Sequence, residues 1–368
     1  MLEIQSGFQA FSGSAYGNAI FRAAVDAIAR HAAKLQAHTP APRMDRLLTL
    51  EPNAYMSAYD LLYKTATAYY SSNNAFVLIS WGEGGEPAAF YPLTPQSVEF
   101  TGGQGGGLYV KMLFKDGKQA TFDYGDIIHL RRHFSGGNEL LGADNSPLYG
   151  LLDTADTLQQ GIRVATKNGV NIRGVLKFTS LVNPEQVKKE KELFVRDYFS
   201  LDNSGGVAAT DQRFDFVPTN AQPYNVPAET VELVQRQILD YLGIGAAIVR
   251  GGYSEDEFSA FYESTVEPFA LQLSLEFTRK CFSDRARAFG NEIKFTAERL
   301  EFSSAKTRIS LLHELLPCGI VTINEARQLL ALPAVPDGER RLQSLNYVDA
   351  THANEYQEVE ESHEPANL

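Results

Sequence analysis

The chain has 368 residues, 44% of them apolar and 21% charged, which is enough apolar material for a real core and excludes wholesale disorder. Lys and Arg number 33 against 45 Asp and Glu, a formal charge of −12, so a basic surface wrapped tightly around duplex DNA is not expected. Cys281 and Cys318 alone cannot build a disulfide scaffold or a cysteine-rich zinc module. The length suggests two or three domains. No run of about 18 apolar residues and no signal-peptide pattern is found, so the expectation is a soluble, acidic, intracellular protein.

In chain order, Phe21, Ala24, Ile28, Ala32 and Leu35 recur at helical spacing and predict a first helix over 14–38, stopped by Thr39-Pro40-Ala41-Pro42. Ser57 followed by Asp60 is a short-side-chain capping box for a second helix that buries Leu61, Leu62, Thr65 and Tyr69. Between Asn74 and Phe134 the pattern shortens to strands at 75–81, 88–91, 108–114, 119–124 and 127–131, separated by glycine-rich turns; this reads as an antiparallel meander. A long helix over 146–168 follows, with Pro147 in its first turn. Next come a strand at 175–178, a helix at 185–199, a strand pair at 207–210 and 214–217, and a helix at 228–242.

The stretch GIGAAIVRGGY (243–253) is glycine-rich and reads as a mobile loop before a very long helix, 256–289, with Pro268 inside it. Short strands are expected at 293–295 and 300–302, a helix at 306–316, and a last helix to about residue 332 started by the capping box Thr322-Ile323-Asn324-Glu325. Beyond Asp349 the chain is polar and acidic and reads as disordered.

Catalytic and ligand-binding patterns fail one by one. GIGAAIVRGG follows a helix rather than a strand and has Ile248 where a dinucleotide fingerprint needs its third glycine. GGQGGG (102–107) lacks the Lys-Ser/Thr of a phosphate loop. His129 and His133 have no third ligand nearby, which favours a structural role. Ser254 followed by Glu255, Asp256 and Glu257 is read as a helix cap with acids at the positive dipole end, in preference to a metal site. A carboxylate-dependent hydrolase using those three acids is the weakest of the readings; no cofactor is implied. What remains is a subunit suited to packing its long helices beside copies of itself.

Seven segments, in order, resemble the portal proteins of tailed double-stranded DNA phages of the siphovirus type. They are EPNAYMSAYDLLYKTATAYYSSNNAFVLI (51–79), YPLTPQSVEF (91–100), IIHLRRHFSGGNELLGADNSPLYG (127–150), KNGVNIRGVLKF (167–178), RQILDYLGIGAAIV (236–249), FYESTVEPFALQLSLEF (261–277) and GIVTINEARQLLALPAVPDG (319–338). Two departures stand out. Ser72-Asn73-Asn74-Ala75 replaces the family's Gly-Asn pair, and Gly245-Ala246 stands where Val-Pro is usual.

The resemblance implies an α+β portal fold that forms rings, with an α/β wing, a two-helix stem, a small α/β clip, a long wing helix and a short helical crown. The wing would be 1–145, the stem helices 146–169 and 227–242, and the clip 170–226. The tunnel loop would be 243–255, the long wing helix and strands 256–303, the crown 304–350 and an acidic tail 351–368. The tunnel-loop residues are then Gly243, Gly245, Ile248, Arg250, Gly251, Gly252 and Tyr253, and Lys167, Lys177 and Arg250 are candidates for the channel lining. The implied partners are eleven further copies in a dodecamer, double-stranded DNA, the large terminase subunit, a head-completion or adaptor protein and the major capsid protein, with no membrane. The implied place is a capsid vertex of the virion, after assembly in the host cytoplasm. The competing reading is another homo-oligomeric virion or scaffold protein with no DNA conduit.

Overall fold

The computed structural model describes residues 8–9, 14–103, 106–134, 140–169, 174–178, 183–198, 214–218, 227–297, 305–330 and 332–343. The elements in order are β1 (Phe8–Gln9), α1 (Ser14–Gly17), α2 (Ala19–Ala32), β2 (Gln36–His38), α3 (Pro42–Thr49), α4 (Ala58–Ser72), β3 (Asn74–Trp81), β4 (Pro87–Leu93), β5 (Ser97–Gly102), β6 (Leu108–Leu113), β7 (Gln119–Asp123) and β8 (Ile127–Arg131). Then follow α5 (Ser146–Gly169), β9 (Gly174–Phe178), α6 (Pro184–Tyr198), β10 (Phe214–Pro218), α7 (Ala228–Leu242), α8 (Ala246–Arg250), α9 (Glu255–Phe261), α10 (Glu267–Cys281), α11 (Asp284–Ala288), β11 (Lys294–Thr296), α12 (Ala305–Leu315), β12 (Cys318–Thr322), α13 (Ile323–Leu329) and β13 (Arg341–Gln343). The chain divides into two compact units, one of residues 1–29, 64–78 and 92–249, the other of residues 30–63, 79–91 and 250–368.

The first unit is built on the sheet β1-β5-β6-β7, antiparallel at each pairing. β5 alternates strictly, with Val98 and Phe100 inside and Glu99 and Thr101 outside, so the strand has one dry face. That face joins Phe76, Val110, Met112, Ile127 and Leu141 in one buried cluster. β8 runs antiparallel to β3, from Asn74↔Arg131 to Leu78↔Ile127. The single meander expected from the strand spacing is therefore two sheets: β8 returns to β3, in the order β4-β3-β8, instead of extending the row after β7. α5 packs against α7; at 1.5 Å per residue, α5 is a rod of about 36 Å. β10 pairs with β9, from Phe214↔Phe178 to Pro218↔Gly174; the other strand of the expected pair, 207–210, lies outside the described residues.

The expected helix 14–38 is broken twice. Asn18 is buried and its Oδ1 accepts hydrogen bonds from the amides of Ile20 (3.0 Å) and Phe21 (3.3 Å), which caps α2 afresh. At its other end α2 stops at Ala32, and Gln36–His38 is strand, paired antiparallel with Lys294–Thr296. Pro42, expected only to stop a helix, also starts one at the first turn of α3.

In the second unit the expected helix 256–289 is shorter. It runs from Glu255 to Cys281, about 40 Å, and Phe282 leaves in extended conformation before Ser283 caps α11. Pro268 does not break it. Residues Tyr262–Val266 form a π-turn in which the amide of Glu267 bonds the carbonyl of Tyr262, so proline enters at the first turn of α10, where its missing amide costs little. α10 holds β11 through its hydroxyls: Thr278 Oγ1 donates to the Ile293 carbonyl (3.1 Å) and accepts from its amide (2.9 Å), and Ser274 Oγ accepts from the Phe295 amide (2.8 Å). Phe277 packs between Phe90 and Phe295, at 5.1 and 5.3 Å between ring centres. The last helix ends at Leu329 rather than near 332, after the expected Thr322–Glu325 box. β12 pairs with β13. Residues 300–302 and the tail beyond 349 lie outside the described residues.

Two groups of titrating residues set how this fold answers to acid. His31 is packed among Tyr253, Phe258 and Phe261, and burial, aided by Lys34 and Arg30, lowers its pKa to about 4. A folded pKa below the unfolded one means that the unfolded chain takes up the proton first. Stability is therefore expected to be full above pH 6.5 and to fall as the pH drops toward about 4, and His31→Gln should flatten that part of the curve in pH-dependent thermal denaturation. Below it a second decline is expected. The caps hold Asp60, Glu257 and Glu325 under their ordinary values by bonds from Ser57, Ser254 and Thr322, and that stabilisation is lost as the carboxylates protonate.

Candidate functional site: the asparagine junction and the segment 243–254

Within the first unit the ends of five elements meet on buried polar side chains. Asn73 lies between α4 and β3 with φ 56°, a left-handed conformation that asparagine tolerates better than most residues. Its side chain bonds two neighbouring segments. Its Nδ2 donates to the Ala143 carbonyl (2.9 Å) and to Asn145 Oδ1 (2.6 Å). Asn145 in turn donates from Nδ2 to the Ser71 carbonyl (2.7 Å) and accepts at Oδ1 from the Tyr241 hydroxyl on α7 (2.8 Å). Asn73, Asn74, His129 and Asn145 are each no more than 3% exposed, so these bonds form away from water, where an unpaired partner is costly.

Asn74 does the complementary work on the backbone. Its Oδ1 accepts from the Gly142 amide (2.9 Å) and its Nδ2 donates to the Gly142 carbonyl (3.2 Å). His129 Nε2 lies 3.1 Å from the same Oδ1. Because that oxygen is an acceptor, Nε2 carries the proton, leaving Nδ1 to accept from the Tyr124 hydroxyl at 3.1 Å. His129 is thus a structural residue, as its isolation in sequence indicates. His133 stands apart from it at φ 51°, where its carbonyl accepts from the Ala143 amide at 3.1 Å.

The LGADNSP stretch owes its residues to this crowding. A Cβ on Gly142 would sit 2.3 Å from the Arg132 carbonyl and 2.5 Å from that of Asn73, so only glycine fits. Asp144 Oδ1 accepts from the Ser146 amide (3.2 Å) and hydroxyl (2.7 Å) at the head of α5, and Pro147 occupies the first turn, where no amide is needed. Arg132 closes the junction: its amide donates to the Asn73 carbonyl (2.8 Å), Nη2 donates to the Tyr241 carbonyl (2.8 Å), and its guanidinium lies over the rings of Tyr70 and Tyr241 at 5.1 and 5.6 Å. Burial pulls its pKa down, against the pull of the tyrosines. Sequence reading singled out none of Asn73, Asn145, Arg132 or Tyr241 as a group. The signal that existed was the run Ser72-Asn73-Asn74-Ala75, where the resemblance expects a Gly-Asn pair.

The segment 243–254 is more ordered than its glycines suggest. Gly243, at φ 75°, ends α7: its amide bonds the Asp240 carbonyl and the Ile244 amide that of Leu239, both at 3.1 Å. Residues 246–250 are the helix α8, so the expected continuous loop is corrected. Ala246 begins α8. Gly251 is left-handed at φ 75°, whereas Gly245 and Gly252 have neither a positive φ nor a neighbour that a Cβ would strike. Ile248 is buried at 4% exposure, Arg250 is exposed, and Tyr253 stacks on Phe258 at 5.4 Å between ring centres. Ser254 and Glu257 form a full capping box, with the Glu257 carboxylate 2.8 Å from the Ser254 amide, and Glu255 accepts from the Thr307 hydroxyl at 2.9 Å. The acids thus cap and brace α9. Lys177 is exposed on β9; Lys167 lies in α5 with its side chain outside the described residues. Among the described residues no three His, Cys, Asp or Glu side chains cluster as metal ligands, and no helix is long and apolar enough to cross a membrane.

Gly142→Ala is expected to cost on the order of 3 kcal/mol, since the new methyl strikes backbone that cannot rotate away. Asn145→Ala should cost about as much by removing the side-chain partner of the Ser71 carbonyl and of the Tyr241 hydroxyl and one of the two bonds of the Asn73 amide. Urea denaturation of both variants, with Gly150→Ala as a control at a position with open space, checks this.

Comparison with known proteins agrees with this construction. Over 223 residues the chain is 23% identical to the probable portal proteins of Lactococcus phages p2 and SK1; the match takes in 58% of this chain and 59% of theirs, so the chain spans under two thirds of those relatives' length. Among solved structures, a chain from the neck of a native gene transfer agent particle, computed with C12 symmetry, superposes with a TM-score of 0.61 at 18% identity, covering 88% of this chain and 92% of that one. A portal protein of the HK97 family from Corynebacterium diphtheriae superposes at 0.54 and 13% identity, over 80% and 99%. These superpositions show a shared fold, with mixed helices and small sheets. The family profile described as phage portal protein matches residues 19–330, taking in the junction, both packed helices and the segment 243–254, and the chain therefore belongs to the phage portal protein family.

Proposed function

We propose that the chain is the portal subunit of a tailed double-stranded DNA phage or a related particle, a structural component of the virion rather than an enzyme. Copies close into a ring, a dodecamer, at one capsid vertex, and the ring is the passage for DNA during packaging and ejection. The observation that carries the reading is the family match over residues 19–330, supported by a backbone that superposes along nearly its whole length on a particle-neck chain.

The parts are assigned on that basis. The wing is 1–145 with 256–303, the stem is α5 and α7, the clip is 170–226, the tunnel segment is 243–255 and the crown is 304–350. The clip receives the large terminase subunit during packaging and a head-completion or adaptor protein afterwards, the wing meets the major capsid protein, and assembly takes place in the host cytoplasm. A formal charge of −12 per copy suits a conduit, because an acidic wall repels phosphates and leaves the duplex free to slide. Lys167, Lys177 and Arg250 are assigned to the lumen as scattered cations that soften the repulsion without holding the strand. Heterologous contacts, one face of each copy on a different face of the next, close such a ring.

Light scattering and negative-stain imaging of the purified protein test this. A particle of about 490 kDa, twelve times the 40.6 kDa chain, with a central hole wide enough for duplex DNA is the expected result, and rings of eleven or thirteen would serve as well. A closed oligomer without a channel would overturn the conduit and leave a scaffold subunit.

A further inference from the structure

A cleft of about 840 Å³ opens in the first unit between α1, the start of α2, the second half of α4 and the ends of β4, β5 and β6. Its wall includes Phe76, Leu93 and Leu113, and its lining holds Arg22, Lys64 and Lys115 with no Asp or Glu among the described residues. In a chain with 45 acids and 33 bases such a one-signed site is unusual. None of the three cations makes an ion pair among the described residues; Arg22 lies over the Tyr16 ring at 4.9 Å. Apolar walls with a free cationic rim fit an extended peptide that alternates carboxylates with apolar side chains.

The chain itself contains one segment of that chemistry. Residues 351–368 carry Glu355, Glu358, Glu360, Glu361 and Glu364, no Lys or Arg, and Tyr356 and Val359 between the acids. The rest of the surface, with its acidic excess, repels this segment, so the cleft stands out as a place to receive it. From the end of β13 at Gln343 to residue 368 the chain has 25 residues, which reach about 80 Å when extended, far enough to pass to a neighbouring subunit. We propose that the cleft binds segment 351–368 of a second copy, a strap between adjacent subunits. The source of the strap rests on the ring reading above; the cleft's preference for this peptide does not.

The test uses the full-length chain with Glu355, Glu358, Glu360, Glu361 and Glu364 changed to glutamine, so that its own tail does not compete. A fluorescent peptide of native sequence 351–368 is expected to bind it, at least tenfold more weakly after Arg22→Glu with Lys115→Glu, both exposed positions, and at least tenfold more weakly when the peptide itself carries the five glutamines. Thermal denaturation confirms that the charge-reversed protein is folded, and Lys64→Gln offers a milder second variant with a smaller loss. No binding, or binding indifferent to these changes, overturns the proposal. A photo-crosslinker at position 356 in mixed isotope-labelled and unlabelled copies should join Tyr16 or Lys64 of a different copy; crosslinks within one copy only, or elsewhere, would overturn the strap. Particle mass measured on the same samples separates failure of the cleft from failure of the ring.

Discussion

Everything in the first unit hangs on two side-chain amides that replace missing backbone partners. Where α4 ends, β3 begins and α5 has not yet started, the chain has no ladder or helix to satisfy its amides and carbonyls. Asn74 grips Gly142 by both its amide and its carbonyl, and Asn73 reaches Ala143 and Asn145. Buried backbone groups left alone would each cost about 1–3 kcal/mol, so losing any of these bonds is expected to destabilise the junction, which already leaves Asn73 Oδ1 and Arg132 Nη1 without a partner among the described residues. The bonds at Gly142, Ala143 and Asn145 fix where α5 starts and tie it through Tyr241 to α7.

This gives the residues of the LGADNSP stretch a physical meaning. Gly142 is there because two carbonyls leave no room for a Cβ; Ser146 and Pro147 are there because a helix must start at once. Asn73 accepts the left-handed turn at modest cost and adds two hydrogen bonds from its Nδ2, to Ala143 and Asn145. In the proposed ring, stem helices set rigidly on the wing would hold the channel wall in register from copy to copy.

Much of the fold was legible in sequence, and the misses share a cause. Helices with a periodic face and a capping pair, such as α4 with Ser57 and Asp60 or α13 with Thr322 and Glu325, begin where the local pattern says. The errors came where tertiary contacts override a continuing local pattern. Leu35 extends the helical period of α2, yet Gln36–His38 is claimed by β11 from more than 250 residues away. Residues 282–289 continue a helix on composition, but extended Phe282 and the Ser283 cap restart it. Glycines at 243–252 suggested mobility because sequence cannot tell a glycine that ends a helix, like Gly243, from one that is merely small, like Gly245. The junction was hidden for a similar reason: Asn73, Arg132, Asn145 and Tyr241 are scattered over nearly 170 positions and meet only when five elements converge.

The central claim is that the junction is part of the folding core and not a surface hinge, and native-state hydrogen exchange reads it directly. The Gly142 amide, bonded among the described residues to the side chain of Asn74, should exchange at the opening free energy of the Val110 amide in the middle of the central sheet, that is, by global unfolding alone. Exchange of Gly142 orders of magnitude faster than Val110 in the intact protein would contradict the account, because α5 and α7 would then be opening from the sheet while the sheet stayed folded.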